Sequence, residues 1–337
     1  MTKVGLIGVG KMGVSHLSIL GAHPLVEIVG VCDTSKMTIQ FLEEYTKFPC
    51  FQDYIKMVEK ANPDAVFVAV PTKAHYTMVK ELVSRGIHVF VEKPFCLNTA
   101  QGDELAKLAS SMKIVNQVGY HNKFVSTFSF VKQIINAGLI GEIYHFVGEA
   151  YGPVVVRKKQ DTWRSDPAEG GGCLMDYASH VIDLLNYLVS PLTNVKASLL
   201  KSVFSKEVED SVYALVQASN GVTGIISVNW SDETYRKMST SVTIQGTKGK
   251  IISDANELKV FFNEHINFEG FSKGWNIKYV TDLTPPVDFY LRGEEYSAQV
   301  DYFIRAVEGE VPNDINTFQS AMNTDRAIEL IRKANTI

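Results

Sequence analysis

Cysteine is scarce, with four residues in 337 (Cys32, Cys50, Cys96 and Cys173), widely scattered, forming no C-x-x-C pair and no His/Cys cluster at zinc spacing. That pattern argues against a disulfide framework or a zinc module and fits free thiols in a reducing compartment. A surplus of one charge is also missing. The 33 Lys and Arg stand against 37 Asp and Glu, for a net charge of -4, and no basic block is present that would neutralise a phosphate backbone. Nucleic acid is therefore not an expected partner. Nowhere does an apolar run approach the roughly 18 residues of a membrane span. The N-terminus enters "KVGLIGVG" without a basic segment ahead of a long apolar one. A soluble cytoplasmic protein, not bound to a membrane, is the expectation. Internal repeats and low-complexity stretches are absent as well.

A chain of this length holds two domains more comfortably than one. Through the first third, short β-branched runs ("KVGLIGV", "EIVGVCD", "DAVFVAV", "HVFVEKP", "IVNQVGY") alternate with helical-length stretches such as "HYTMVKELVSRG" and "TAQGDELAKLASSM". Such alternation marks βαβ units and a parallel sheet, and strands apolar nearly throughout call for helices on both faces. From residue 121 onward the pattern changes to a helix near 126–137 and the segment after 170, then longer strand candidates ("SVYALVQAS", "VTGIISVNW", "SVTIQGTKG", "KIISDA"). The turns "SNGV" and "GTKGK" join them as hairpins. Amphipathic segments near 294–308 and 317–334 close the chain, and "TPPVD" at 284–288 reads as a rigid loop. The sequence thus predicts an α/β protein. A doubly wound domain covers residues 1–120, and an α/β domain with a mostly antiparallel sheet covers 121–337, its last helices able to pack back on the first domain.

"GVGKMG" puts Gly8, Gly10 and Gly13 in G-x-G-x-x-G spacing, directly after a strand and opening a helix, with Lys11 and Met12 inside the turn. Glycines there let the backbone turn tightly and approach a pyrophosphate, whose charge is met by free amides at the helix N-terminus. Alone, the motif is equally a packing turn. The second strand, however, ends in Asp33, 20 residues past Gly13, where a carboxylate accepts hydrogen bonds from an adenosine ribose. Dinucleotide binding follows. Asp33 favours NAD over NADP because it repels a 2′-phosphate, although Ser35 and Lys36 offer a hydroxyl and a cation close by. Pro71, Thr72 and His75 border the cofactor, His75 being read as a helix-start residue rather than a catalyst. His16, one turn into the first helix, reads as a packed histidine.

Three further segments join the glycine motif: "VAVPTKAHYTMVKELVSRGIHVFVEKP" (68–94), "QVGYHNKF" (117–124) and "GGGCLMDYASHVID" (170–183). In order and spacing they resemble the glucose-fructose oxidoreductase, inositol dehydrogenase and MocA (Gfo/Idh/MocA) family, whose patterns include E-K-P after the fifth strand and G-G-G-x-x-x-D-x-x-x-H-x-x-D. The resemblance covers nearly the whole chain. It implies a Rossmann domain followed by an α/β domain whose large open sheet mediates dimers and tetramers, so a homodimer or homotetramer is expected. It also implies NAD(P)-dependent hydride transfer at a secondary hydroxyl or keto group of a sugar, cyclitol or nucleotide sugar. Lys93, Asp176 and His180 match the family's catalytic lysine, aspartate and histidine. Asp183 matches a further aspartate that supports the helix, Glu92 and Lys93 belong to the cofactor motif, and His121 and Asn122 match substrate-facing positions.

The residue chemistry agrees. Lys93 follows the fifth strand at the carboxyl edge of the sheet, where an ammonium can stabilise the alkoxide that develops as hydride leaves. By position alone it is equally a solvated strand-end lysine. Asp176 and His180, four apart, share a helix face. The carboxylate would fix the imidazole's tautomer and leave its other nitrogen to exchange a proton with substrate. The alternative is a surface ion pair, and a metal reading lacks a third ligand, so no metal is expected. The glycines at 170–172 let the chain pass close to the nicotinamide. "RKKQDTWRSD" (157–166), with four cations, Trp163 and Arg164, is either a solvated surface or a collector of an anionic substrate. Substrate contacts are thus expected from Lys93, His121, Asn122, Trp163, Arg164, Asp176 and His180, with ordinary loop positions as the alternative at 121 and 122. Three functions are compatible with this set: a dehydrogenase, a glycosidase using retained NAD for transient oxidation, and a catalytically silent dinucleotide-binding regulator. The presence of Lys93, Asp176 and His180 together speaks against the last.

Overall fold

The computed structural model describes residues 1–154, 163–268, 270–285 and 293–335. Most of "RKKQDTWRSD" and the end of "TPPVD" lie outside the described residues. The chain divides into two compact units, Met1–His121 with Val287–Met322, and Asn122–Pro286 with Asn323–Ile337.

In the first unit β1 (Thr2–Ile7), β2 (Val26–Cys32), β3 (Cys50–Phe51), β4 (Ala65–Val68), β5 (His88–Val91) and β6 (Asn116–Val118) form one parallel sheet in the order β3-β2-β1-β4-β5-β6. Between them run α1 (Lys11–Ala22), α2 (Lys36–Tyr45), α3 (Tyr54–Ala61), α4 (His75–Ser84) and α5 (Thr99–Ser111). All four residues of β4 are buried, as a sheet covered on both faces requires. Local capping starts the helices. Ser35 Oγ accepts the Thr38 N–H, Asp53 accepts those of Ile55 and Lys56, and Asn98 accepts that of Gln101. The strand order reverses between β1 and β4, which opens a crevice position at their carboxyl ends.

The second unit is built on α6 (Ser126–Asn136), β7 (Ile143–Tyr151), α7 (Ser179–Leu188), β8 (Leu192–Lys201), β9 (Ser211–Ala218) and β10 (Thr223–Asn229). It continues with β11 (Ser239–Gly246), β12 (Gly249–Asp254), β13 (Glu257–Phe262), β14 (Gly274–Tyr279) and α8 (Val280–Leu283). The sheet order is β14-β13-β12-β11-β7-β10-β9-β8, antiparallel except where β7 meets β10. On β9, Val212, Ala214 and Val216 are buried while Tyr213 and Leu215 are exposed, the alternation of a sheet covered on one face. Gly148 of β7 makes room for α7, since a Cβ there would stand 2.7 Å from both Val181 and Leu185.

Two helices follow in sequence. From α9 (Glu294–Val307), Val300, Phe303 and Ile304 join Val4, Leu6, Phe67 and Phe90 in the core of the first unit. From α10 (Phe318–Lys333), Phe318, Ala321 and Met322 belong to the first unit's other core cluster, and Phe318 stacks on Phe95 at 4.5 Å. Both sheets have the character the sequence predicts. Among the described residues no helix is long and apolar enough to cross a membrane.

Candidate active site

The three glycines of the first turn are needed for different reasons. Gly8 has φ 91° and a Cβ there would meet the Ala69 carbonyl at 2.4 Å, while a Cβ at Gly13 would stand 1.9 Å from the Gly8 carbonyl. These two are demanded by the chain itself. Gly10 is not: a Cβ there meets nothing within 4 Å. It also precedes α1 without a side-chain cap, so the first amides of α1 lack a side-chain acceptor from that position. Open space in front of such amides fits the pyrophosphate of a dinucleotide.

Asp33 sits just past β2. Its Oδ2 accepts the Val9 N–H at 2.7 Å and its Oδ1 accepts the Ser35 N–H at 2.8 Å. The carboxylate thereby ties the glycine turn to the next βα turn, and each oxygen keeps acceptor capacity for a ribose hydroxyl. Lys11 and Met12 occupy the first turn of α1.

Pro71 and the buried Thr72 open a short 3-10 turn after β4. His75 starts α4 and is wholly buried, with Nδ1 3.0 Å from the Pro94 carbonyl and 3.1 Å from that of Phe95, and Nε2 2.9 Å from that of Val70. Its ring nitrogens are thus turned to backbone, tying the turn after β4 to the turn after β5. Burial pushes the imidazole below its ordinary pKa, against the pull of the three carbonyls. The Lys93–Pro94 peptide is cis. Glu92 is buried, 2.7 Å through Oε1 from His16 Nε2, and its Oε2 accepts the Lys93 N–H at 3.2 Å. After β6, His121 stacks on Tyr296 at 4.7 Å.

In the second unit the run from 170 departs from the plain α-helix that the sequence predicts. Leu174–Ala178 is a π-helical turn, which α7 follows from Ser179. Its start is held from a distance: the Leu174 N–H goes to Glu209 Oε1 at 2.9 Å and the Cys173 N–H to the Glu209 carbonyl at 2.9 Å. The preceding glycines serve this packing. A Cβ at Gly172 would stand 2.3 Å from Glu209 Oε1, and one at Gly171 would stand 2.5 Å from the Arg164 carbonyl. Burial pushes the Glu209 carboxyl and the Cys173 thiol up.

Asp176 is 1% and His180 4% exposed. Oδ2 of Asp176 accepts a hydrogen bond from Arg164 Nε at 2.7 Å, and the Arg164 guanidinium lies 4.7 Å from the Trp163 ring. Asp183 forms a buried ion pair with Lys123 at 2.9 Å. Burial pushes its carboxyl up, against the pull of Lys123. Asn122 is buried, and its Nδ2 has no hydrogen-bond partner among the described residues. Lys123, Glu209 and the Arg164–Asp176 pair were not found by sequence reasoning.

A doubly wound parallel domain with a glycine turn at its switch point and a carboxylate after the second strand belongs to the dinucleotide-binding class. A family profile described as "Oxidoreductase family, NAD-binding Rossmann fold" matches residues 2–120, and one described as "GFO/IDH/MocA C-terminal domain" matches residues 128–252. The chain belongs to the Gfo/Idh/MocA family of NAD-binding oxidoreductases. It is 28% identical over 233 residues to the rhizopine catabolism protein MocA of Rhizobium meliloti, covering 67% of this chain and 70% of that protein. It is 25% identical over 319 residues to inositol 2-dehydrogenase of Rhizobium meliloti (strain 1021), covering 91% and 88%. Among solved structures, levoglucosan dehydrogenase in complex with NADH superposes with a TM-score of 0.86 at 20% identity, covering 99% of this chain and 96% of that one. The WlbA dehydrogenase of Bordetella pertussis, in complex with NADH and UDP-GlcNAcA, gives 0.80 at 23% identity with the same coverage. At those identities the structural likeness speaks for the fold.

Proposed function

We propose that the protein is a dehydrogenase acting on a secondary hydroxyl of a polyhydroxylated ring, a sugar, cyclitol or nucleotide sugar, with NAD preferred over NADP. The observation that carries this reading is the burial of Asp176 and His180 together at the start of α7. Ionisable groups are costly to bury unless they are paired, and buried ones cluster at functional sites. The printed names of relatives point the same way: inositol 2-dehydrogenase, and D-glucoside 3-dehydrogenase of Escherichia coli.

When bound, NAD supplies the acceptor for the hydride that leaves the carbinol carbon. In this reading His180 takes the hydroxyl proton, Asp176 sets the imidazole's orientation, and the Lys93 ammonium stabilises the oxygen as charge develops on it. Arg164 Nε donates to Asp176 Oδ2 at 2.7 Å, a charge-assisted hydrogen bond that fixes the carboxylate's position. With Arg164 so engaged, the described part of the 157–166 segment favours an uncharged ring over an anionic one. Gly8, Gly10, Gly13 and Asp33 take the dinucleotide, and His121, Asn122 and Trp163 face the substrate. The test is a panel of sugars, cyclitols and nucleotide sugars assayed for nicotinamide reduction. Turnover of at least one, abolished in Lys93→Met, is expected. Release of an aglycone without accumulation of NADH would overturn the dehydrogenase reading in favour of a glycosidase.

A further inference from the structure

Burying an ion pair strips water from both charges, and an apolar pair of similar volume is often as stable or more so. The Lys123–Asp183 pair is buried in this way, with 4% and 1% of the two side chains exposed and Nζ 2.9 Å from Oδ1. One carboxylate oxygen takes the contacts: Thr324 Oγ1 of α10 also approaches Oδ1, at 3.5 Å, while Oδ2 has no hydrogen-bond partner among the described residues. Stability is a poor account of such a pair. Position is a better one. Along α7, His180, Asp183 and Tyr187 follow one another at helical spacing, so one face of the helix carries all three. Lys123 grips that face twice, through the ion pair and through its ammonium 5.5 Å from the centre of the Tyr187 ring. Lys132 of α6 lies 5.0 Å from the same ring and donates to the Tyr187 carbonyl at 2.6 Å. Lys123 also directly follows Asn122, so a single side chain joins the turn that carries Asn122 to the helix that carries His180.

We propose that Lys123 and Asp183 are a positioning pair for His180: the buried ion pair fixes where α7 lies against the turn at Asn122, and so where the imidazole stands, rather than holding the fold together. The proposal rests on the reading of His180 as the group that takes the hydroxyl proton. That chemistry tolerates little displacement, because a misplacement of about 1 Å can cost on the order of 10²-fold in rate. The apolar contacts of α7, such as Val181 and Leu185 beside Gly148, attract without direction. An ion pair with a 2.9 Å contact adds the direction that they lack.

The test is the double variant Lys123→Met with Asp183→Leu, in which two apolar side chains of similar size take the place of the pair. It is expected to melt no lower than the unmodified protein and to bind NAD with unchanged affinity. Hydrogen exchange, read by mass spectrometry on the peptide that carries residues 179–188, needs no substrate. It is expected to quicken by about tenfold as α7 loses its fixed position. On the substrate that the panel identifies, kcat is expected to fall by about 10²-fold. An unmoved exchange rate or an unmoved kcat in the folded double variant would overturn the proposal. So would a double variant that fails to fold, because the pair would then be serving stability. The functional reading fails separately: near-normal kcat in His180→Ala removes it, whereas lost turnover there with normal turnover in the double variant removes only the role of the pair.

Discussion

Asp33 holds the glycine turn with one oxygen and the following turn with the other, so its removal acts on cofactor choice and on local order together. Asp33→Ala is expected to weaken NAD binding by about tenfold, the worth of one charge-assisted hydrogen bond, and to narrow the gap to NADP. Titration of both cofactors checks this, and tighter NADP binding by the unmodified protein would point instead to Lys36. Acid stability belongs to this scale as well. The His23 hydrogen bond holds the Asp301 carboxyl below its ordinary range, and His16 helps to do the same for Glu92. A carboxyl depressed by folding adds stability that is fully present above its unfolded pKa and is lost as pH falls through the folded value. The melting temperature is therefore expected to fall as pH drops from about 5 toward 2, more shallowly in Glu92→Gln. Calorimetry giving identical slopes would contradict that. The expected site residues Lys93, Asp176 and His180 each sit in a fixed local spacing, which a sequence displays. The pairings of Lys123 and Glu209 are not displayed in that way, since their partners lie 60 and 35 residues away in the chain.

At the scale of the element, the β1–α1 turn separates what the fold needs from what a ligand needs. Gly13→Ala forces a Cβ onto the Gly8 carbonyl and is expected to cost about 1–3 kcal/mol of stability, as overpacking does. Gly10→Ala meets only open space. It is expected to leave the melting temperature near that of the unmodified protein while weakening NAD binding at least tenfold, because the methyl enters the space of the pyrophosphate. Calorimetry and NAD titration on the two variants read the difference. Undiminished NAD affinity in Gly10→Ala would show that the motif is a packing turn. The π turn at Leu174–Ala178 was hidden from the sequence for a related reason. Periodicity registers which residues are apolar, and here all five positions are buried, so a change of one residue per turn leaves no mark.

Over the whole molecule, strand alternation gave the character of the two sheets and β9 to β12 of the second, but not β3, β7, β8, β13 or β14 or the partners of their faces. The uncovered face of the second unit's sheet carries Leu199 beside Tyr213 and Leu215 beside Ile225, all exposed. Adjacent apolar side chains of this kind fit a subunit interface. A homo-oligomer is expected by light scattering, and Leu215→Glu with Ile225→Glu is expected to shift it toward monomer. A monomer across the micromolar range in the unmodified protein would remove this expectation. The proposed chemistry divides between Lys93, which stabilises the oxygen, and His180, which takes its proton. The deciding measurement is His180→Ala, assayed for nicotinamide reduction on the substrate that the panel identifies. Unchanged NAD affinity, kcat lower by about 10² to 10⁴, and loss of the limb in which the rate rises with pH are expected. Near-normal kcat with an unchanged pH profile, in a folded and NAD-binding His180→Ala protein, would contradict it.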